Sequence, residues 1–165
     1  MNIADEILAE LKSEGDATRR VLERVPERHL SWKPHPKSDS LGTLAYHVAV
    51  VPLGLAQLLT DPVAELPQVP RPEATSVAQL LAALDQSLAV ASTKVRNWGE
   101  EGLDARWQLT SGGTVIFDMR RFDMLRSTML NHWYHHRGQL TVYLRLLDVP
   151  LPSIYGPSAD ENGFG

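Results

Sequence analysis

The stretch Asn131-His132-Trp133-Tyr134-His135-His136-Arg137-Gly138-Gln139-Leu140 decides how the chain is read, because it puts histidines where a helical repeat calls for hydrocarbon. Extended in both directions, the repeat runs Phe122, Leu125, Met129, His132, His136, Gln139, Tyr143 and Leu146, with steps of three and four residues. That is the spacing of an inward-facing helical seam. His132 and His136 stand one turn apart on one face, so their rings point in nearly the same direction. A buried polar group without a partner costs on the order of 1 to 3 kcal/mol, and one divalent transition metal would satisfy several such groups at once. The alternative is a pair of core histidines bonded to backbone carbonyls. A third histidine on another helix would decide between them.

The 165 residues are 43% hydrophobic and 22% charged, an ordinary composition for one domain with a core of its own, expected to span 1–165. The net charge of -4 and the absence of any basic run longer than two residues exclude a phosphate-backbone binder, so no nucleic acid partner is expected. With no cysteine, disulfides, thiolate metal sites and a protein thiol nucleophile are excluded. The N-terminus, MNIADEILAELK, is acidic and amphipathic and lacks the basic start and apolar block of a signal peptide, so a cytoplasmic location is expected. Leu41 to Leu59 carries no Asp, Glu, Lys or Arg and approaches the length of a membrane span. Thr43, Tyr46, His47, Pro52 and Gln57 interrupt it, and a bundle helix buried on several sides is the expected reading, without a membrane.

Four amphipathic segments are predicted. The first runs from Asn2 to about Arg24, with Ile3, Ile7, Leu11, Leu22 and Val25 on its stripe, and Pro26 stops it. A polar loop with Pro34 and Pro36 follows, its Trp32 expected to pack on the bundle. Ser38, Asp39 and Ser40 are candidate N-caps for the second helix, to about Leu59. Inside it, Pro52 removes the amide that would bond the carbonyl of Val48, which predicts a kink beside His47. Leu44, His47, Val51 and Leu58 share a face, so His47 is the third inward histidine.

Asp61 to Ala74 holds Pro62, Pro67, Pro70 and Pro72 and reads as a linker without regular structure. Ser76-Val77-Ala78-Gln79 is a capping-box pattern, followed by the seam Val77, Leu81, Leu84, Leu88, Ala91, Val95 and Trp98. From Gly99 to about Arg120, Gly112-Gly113 between β-prone residues suggests a small hairpin or an irregular turn. The fourth helix is expected from about Arg120 to Leu147, and Ser153 to Glu161 as an ordered tail laid against the bundle. The fold class is therefore all-α, a four-helix bundle whose connections of roughly fifteen to twenty residues permit crossovers.

Three pieces of the chain together resemble the DinB-like superfamily, the DinB/YfiT group of metal-dependent bundles. They are Trp32-Lys33-Pro34 with Leu41-Gly42-Thr43-Leu44-Ala45-Tyr46-His47, then His132-Trp133-Tyr134-His135-His136-Arg137-Gly138-Gln139, then Tyr155-Gly156-Pro157-Ser158-Ala159-Asp160. The resemblance implies an up-down-down-up bundle and a divalent metal held by His47, His132 and His136. It also implies a homodimer and, in some members, transfer of a low-molecular-weight thiol such as bacillithiol or mycothiol, or thiol-dependent isomerisation of maleylpyruvate.

Three imidazoles leave a coordination position open, the layout of a reactive metal. Zinc or nickel is the expected ion, although iron and copper also accept imidazole. Two chemistries on a small-molecule substrate fit: a thiol cosubstrate acidified by the ion attacks an electrophile, or water does. A structural or regulatory metal in a stress-response or binding module is the non-enzymatic alternative. The peptidase pattern HExxH is missing, because Trp133 follows His132 where a glutamate base would stand. Asp160 or Glu161 could supply a base from the tail. Gln139 is a candidate to orient a ligand imidazole or a substrate. Arg137 reads as a tail or dimer anchor pairing with Asp160 or Glu161. His135 is off the ligand line, His29 and His35 read as surface residues, and Tyr143 and Tyr155 as packing groups with a polar tip.

Overall fold

The computed structural model of the protein describes residues 2–163; Met1, Phe164 and Gly165 lie outside the described residues. Helix α1 (Ile3–Leu22) starts at Asn2, whose side chain accepts from the Asp5 amide at 2.9 Å, and buries Ile7, Leu11, Thr18, Val21 and Leu22. Helix α2 (Leu41–Leu58) is capped by Ser40, which accepts from the Thr43 amide at 3.2 Å. Helix α3 (Val77–Asp104) is capped by Ser76, which accepts from the Gln79 amide at 3.1 Å. Gln79 Oε1 reaches back to the Thr75 amide at 2.8 Å, one residue earlier than a strict capping box. Gly99 breaks α3 with φ 55° and ψ -161°, and the chain is helical again beyond it to Asp104. Helix α4 (Arg121–Met124), a π-helical turn (Leu125–Leu130) and helix α5 (Asn131–Leu146) then follow without interruption as the fourth rod.

Contacts at the helix ends fix the order. The Ile3 amide donates to Glu100 and Arg19 pairs with Asp85, so α1 and α3 are antiparallel. The Ala74 amide donates to Gly42 O at one end, and Arg121 bridges Leu59 O and Gly102 O at the other, so α2 and α3 are parallel. Glu10 holds Arg126 and Tyr134 while Arg20 and Arg24 reach the segment after α5, so α1 and the fourth rod are parallel. The bundle is up-down-down-up, as the resemblance implied. Helix α2 has the length and hydropathy of a membrane span, and 50% of it is buried inside the protein, the composition of a core helix.

The small sheet has the order β1 (Val63–Glu65), β2 (Arg106–Ser111), β3 (Thr114–Arg120), with β1 parallel and β3 antiparallel to β2. The hairpin expected at Gly112-Gly113 is present, both glycines having positive φ (56° and 80°) as a tight primed turn demands. The linker reading of Asp61 to Ala74 is corrected by β1. Pro62 and Pro67 flank the three-residue strand and leave its amides intact, and Glu65 accepts from Thr110 Oγ1 and the Gly112 amide, each at 2.6 Å.

The seam of the fourth rod also needs correction. A π turn accommodates one extra residue, which rotates everything after it relative to an unbroken α repeat. The fully inward line passes from Leu125 and Met129 to Trp133, Arg137, Leu140 and Leu144, while Leu146 is 59% exposed. His132 and His136 thereby move to the flank of this line, half-buried beside α2, and Gln139 reaches the surface.

Candidate metal centre

Two local features of α2 position His47. Pro52 lacks the amide that would close the turn onto Val48, and the freed carbonyl accepts from Trp133 Nε1 at 2.8 Å in the interior. The next amide, of Leu53, donates out of the helix to Ser87 Oγ of α3 at 2.8 Å. Helix α2 continues through Pro52, and the Val48 carbonyl and Leu53 amide are bonded from α5 and α3, the carbonyl one residue from His47. Sequence reasoning located the freed carbonyl but not its donors.

His47, His132 and His136 come together. Their candidate donor nitrogens all lie within 4.8 Å of one another, and the Nε2 atoms of His47 and His132 are 3.0 Å apart. Ring centroids are separated by 5.2 Å (His47 and His132), 4.6 Å (His47 and His136) and 4.3 Å (His132 and His136), with interplanar angles of 85°, 85° and 81°. The three rings are mutually near-perpendicular, and each offers one nitrogen to the same small cluster. Donors bound at about 2.0 to 2.1 Å to one tetrahedral ion stand about 3.3 Å from each other, so the cluster fits an ion with small ring adjustments. His136 Nδ1–H donates to Gln139 Oε1 at 2.8 Å, which leaves its Nε2 lone pair free, as a ligating imidazole requires.

Burial is the main reason that the pKa values of His47 and His132 fall to about 4, helped by neighbouring rings and the Arg71 guanidinium. His136 is shifted the same way by burial, with the Gln139 bond opposing. All three are therefore neutral near pH 7, the protonation state that binds metal. Arg71 belongs to the segment after β1 and pairs with Asp39 at the start of α2. Tyr143 OH donates to Asp39 O at 3.4 Å and its ring meets Trp32 edge-on, closing this end of the site.

The remaining sequence candidates stay outside the cluster. His135 is exposed beside His136, with ring centroids 5.0 Å apart, and His35 is exposed while His29 is half-buried in the early loop. Asp160 pairs with Arg145 at 2.5 Å, and Glu161 with Arg20 at 2.5 Å and Arg24 at 2.6 Å. The tail carboxylates are thus bound away from the histidines, which corrects their suggested role as a base. Arg137 does not pair with them either. It is 3% exposed and bonded to Glu14 at 2.6 Å, to Thr18 and to Tyr155, so it anchors the tail through Tyr155. Tyr155 is held by its hydroxyl, with its ring largely exposed, and is not a packing group. A groove of about 460 Å³ between α1 and α3, lined in part by Leu8, Lys12, Leu88 and Arg96, touches none of the three histidines.

The profile of the DinB family matches residues 1–162. The chain belongs to the DinB family. A relative in Bacillus subtilis, the uncharacterised protein YrdA, is 27% identical over 163 residues, covering 95% of this chain and 90% of its own. A DinB-like protein from Bacillus cereus of known crystal structure superposes with a TM-score of 0.71 at 22% identity, over 93% of this chain and 98% of its own. A second DinB-like protein, from Bacillus subtilis, gives 0.68 at 21% identity, over 89% and 95%. Both share the bundle fold of this DinB chain, and its three-histidine group is compatible with metal binding.

Proposed function

We propose that the protein is a metal-dependent enzyme in which His47, His132 and His136 hold a divalent transition ion, zinc or nickel, and which transfers a low-molecular-weight thiol to a small-molecule electrophile. One observation carries this reading: one nitrogen from each of three neutral imidazoles lies within 4.8 Å of the other two, and no fourth protein donor joins them among the described residues. A purely structural ion would normally be closed by a fourth side chain. When bound, such an ion supplies Lewis acidity that lowers the pKa of a thiol presented to it. The chain itself has no cysteine, so the thiol comes from a cosubstrate. Gln139 fixes the ring of His136, and the Arg71–Asp39 ion pair lies close enough for both charges to act on that ring.

Hydrolysis is disfavoured, because Asp160 and Glu161 are committed to arginines and Asp39 is paired with Arg71. The reading extends to a cytoplasmic homodimer, with Val142 and Leu146, 58% and 59% exposed on α5, as the apolar face for a second copy. Light scattering at the mass of one chain would remove that extension.

The deciding experiment compares metal-loaded and chelated protein on a panel of thiols with electrophilic acceptors. Thiol-dependent turnover restored by zinc or nickel is expected. Metal binding without turnover on any pair would leave a binding module instead, and turnover without thiol would favour the hydrolase.

A further inference from the structure

We infer that Trp133 is a positioning residue for the three-histidine centre, its indole N–H locking the axial register of α5 against α2 through the carbonyl that Pro52 leaves open. The inference rests on the metal-site reading and adds a residue to it that is not a ligand.

The geometry is local. Val48 follows His47 and Trp133 follows His132, so the buried 2.8 Å bond from Trp133 Nε1 to Val48 O and the 3.0 Å approach of the two Nε2 atoms are adjacent rungs between the same helices. In an unbroken helix the Val48 carbonyl would be occupied by the amide four residues on; proline at 52 supplies none. The indole is therefore the donor that fills it, and Trp133 has 0% exposure, so water does not compete.

Interdigitated side chains restrict how far α5 slides along α2, and the hydrogen bond narrows the setting further because it weakens steeply with distance and angle. The tolerance matters here, because a slide of one helical residue is about 1.5 Å, whereas metal–ligand distances hold to about 0.2 Å. Ser87 of α3 takes the Leu53 amide, so the turn of α2 at Pro52 is pinned by α5 and α3 together. The widened π turn just before α5 is what brings Trp133, not His132, onto the inward line where this bond is possible. Proline, tryptophan and π turn then form one device that sets where His47 meets His132 and His136.

The test uses Trp133→Phe, which keeps an aromatic ring but removes the donor, and the double variant Trp133→Phe with Pro52→Ala, which gives the Val48 carbonyl a partner within its own helix. Zinc affinity is read by competition with a chromophoric chelator, apo stability by urea midpoint, and apo register by the NOE between the His47 and His132 rings. Removing a partner bonded directly to a ligand weakens metal binding by about 10 to 100-fold, and Trp133, one step further out, is expected at the lower end of that range. The double variant is expected to regain the wild-type urea midpoint while zinc stays more than about fivefold weaker and the NOE is lost. Affinity within about fivefold of wild type in the double variant, or affinity that returns together with stability, would make Trp133 an ordinary core residue and overturn the inference. Should wild type bind no zinc at all, the metal reading falls. The NOE then decides the register alone, supporting the inference if present in wild type and lost in the double variant, and overturning it otherwise.

Discussion

The fourth rod carries two polar faces that obey opposite rules. Toward α1 and the tail, each polar group meets an opposite charge or an acceptor. Tyr134 OH donates to Glu10 at 2.7 Å, Arg126 pairs with the same carboxylate, and Arg137 joins Glu14, Thr18 and Tyr155. Toward α2, three rings of one kind face each other, and Gln139 is the one further side chain bonded to them among the described residues. The first face is a closed circuit, which is what a scaffold needs when it buries charge. The second is an unfinished set of acceptors, which costs stability unless something completes it. Burial alone would not separate them; the completeness of the hydrogen bonding does.

The largest effect should follow from breaking the unfinished face. His132→Ala is expected to reduce bound zinc or nickel from about one equivalent per chain to less than a tenth, read by elemental analysis after dialysis, because two donors do not make a competitive site. The apo protein should change by no more than about 1 kcal/mol, since a half-buried ring with no charge partner is exchanged for the best helix former. Equal metal in wild type and variant would end the site assignment.

The mirror experiment breaks the closed face. Arg137→Met leaves Glu14 largely buried, its side chain 13% exposed, without its cation. Removing one partner of a buried ion pair costs about 3 to 5 kcal/mol, to be read as a shift of the urea midpoint. Metal per folded chain should stay at the wild-type level. Loss of metal in step with stability would mean that the two faces are not independent.

The sequence made one of these faces legible and hid the other. His47, His132 and His136 stood out because histidine at three- and four-residue steps contradicts an apolar repeat, and that signal needs no knowledge of neighbours. Arg137 reads as a tail or dimer anchor in the sequence, but its partners were hidden, since one arginine among polar residues gives no sign of burial. Its partner Glu14 lies four residues beyond Glu10, the partner of Arg126 and Tyr134, and the inward edge these two carboxylates make on α1 shows only once α1 and α5 are known to run parallel. The π turn was invisible because it changes the period without changing composition, and so the seam was drawn through His132 instead of Trp133. Strand β1 was hidden by its flanking prolines, which look like a break and are in fact its borders. Pro52 lay between these cases: its orphaned carbonyl follows from covalent structure, but the donor comes from a helix about eighty residues away in sequence.

A smaller effect tests how the unfinished face is kept in order. Gln139 is exposed and holds His136 Nδ1–H at 2.8 Å. Gln139→Ala should leave the urea midpoint unchanged and weaken zinc binding by about tenfold, equivalent to about 1.4 kcal/mol. An unchanged affinity would show that packing alone orients that ring.

The smallest effect is a slope, and it separates the faces without any mutation. In chelated protein the folded pKa values of His47 and His132 lie at about 4, below the ordinary 6.5, because burial disfavours the charged rings. Between those values the unfolded chain takes up protons that the folded chain does not, so stability falls as pH drops from 6.5 toward 4. At the other face the hydroxyls of Tyr134 and Tyr155 are pushed above 10, chiefly by burial and then by Glu10 and Glu14 respectively. There the unfolded chain releases protons first, so stability is whole below pH 10 and is lost as pH rises beyond it. Urea midpoints across the range should therefore bend at both ends, with His47→Ala reducing the slope of the acid limb alone and Tyr134→Phe that of the alkaline limb alone. A variant that reduced both slopes would show that the faces share one network, and the distinction between scaffold and site on the fourth rod would have to be given up.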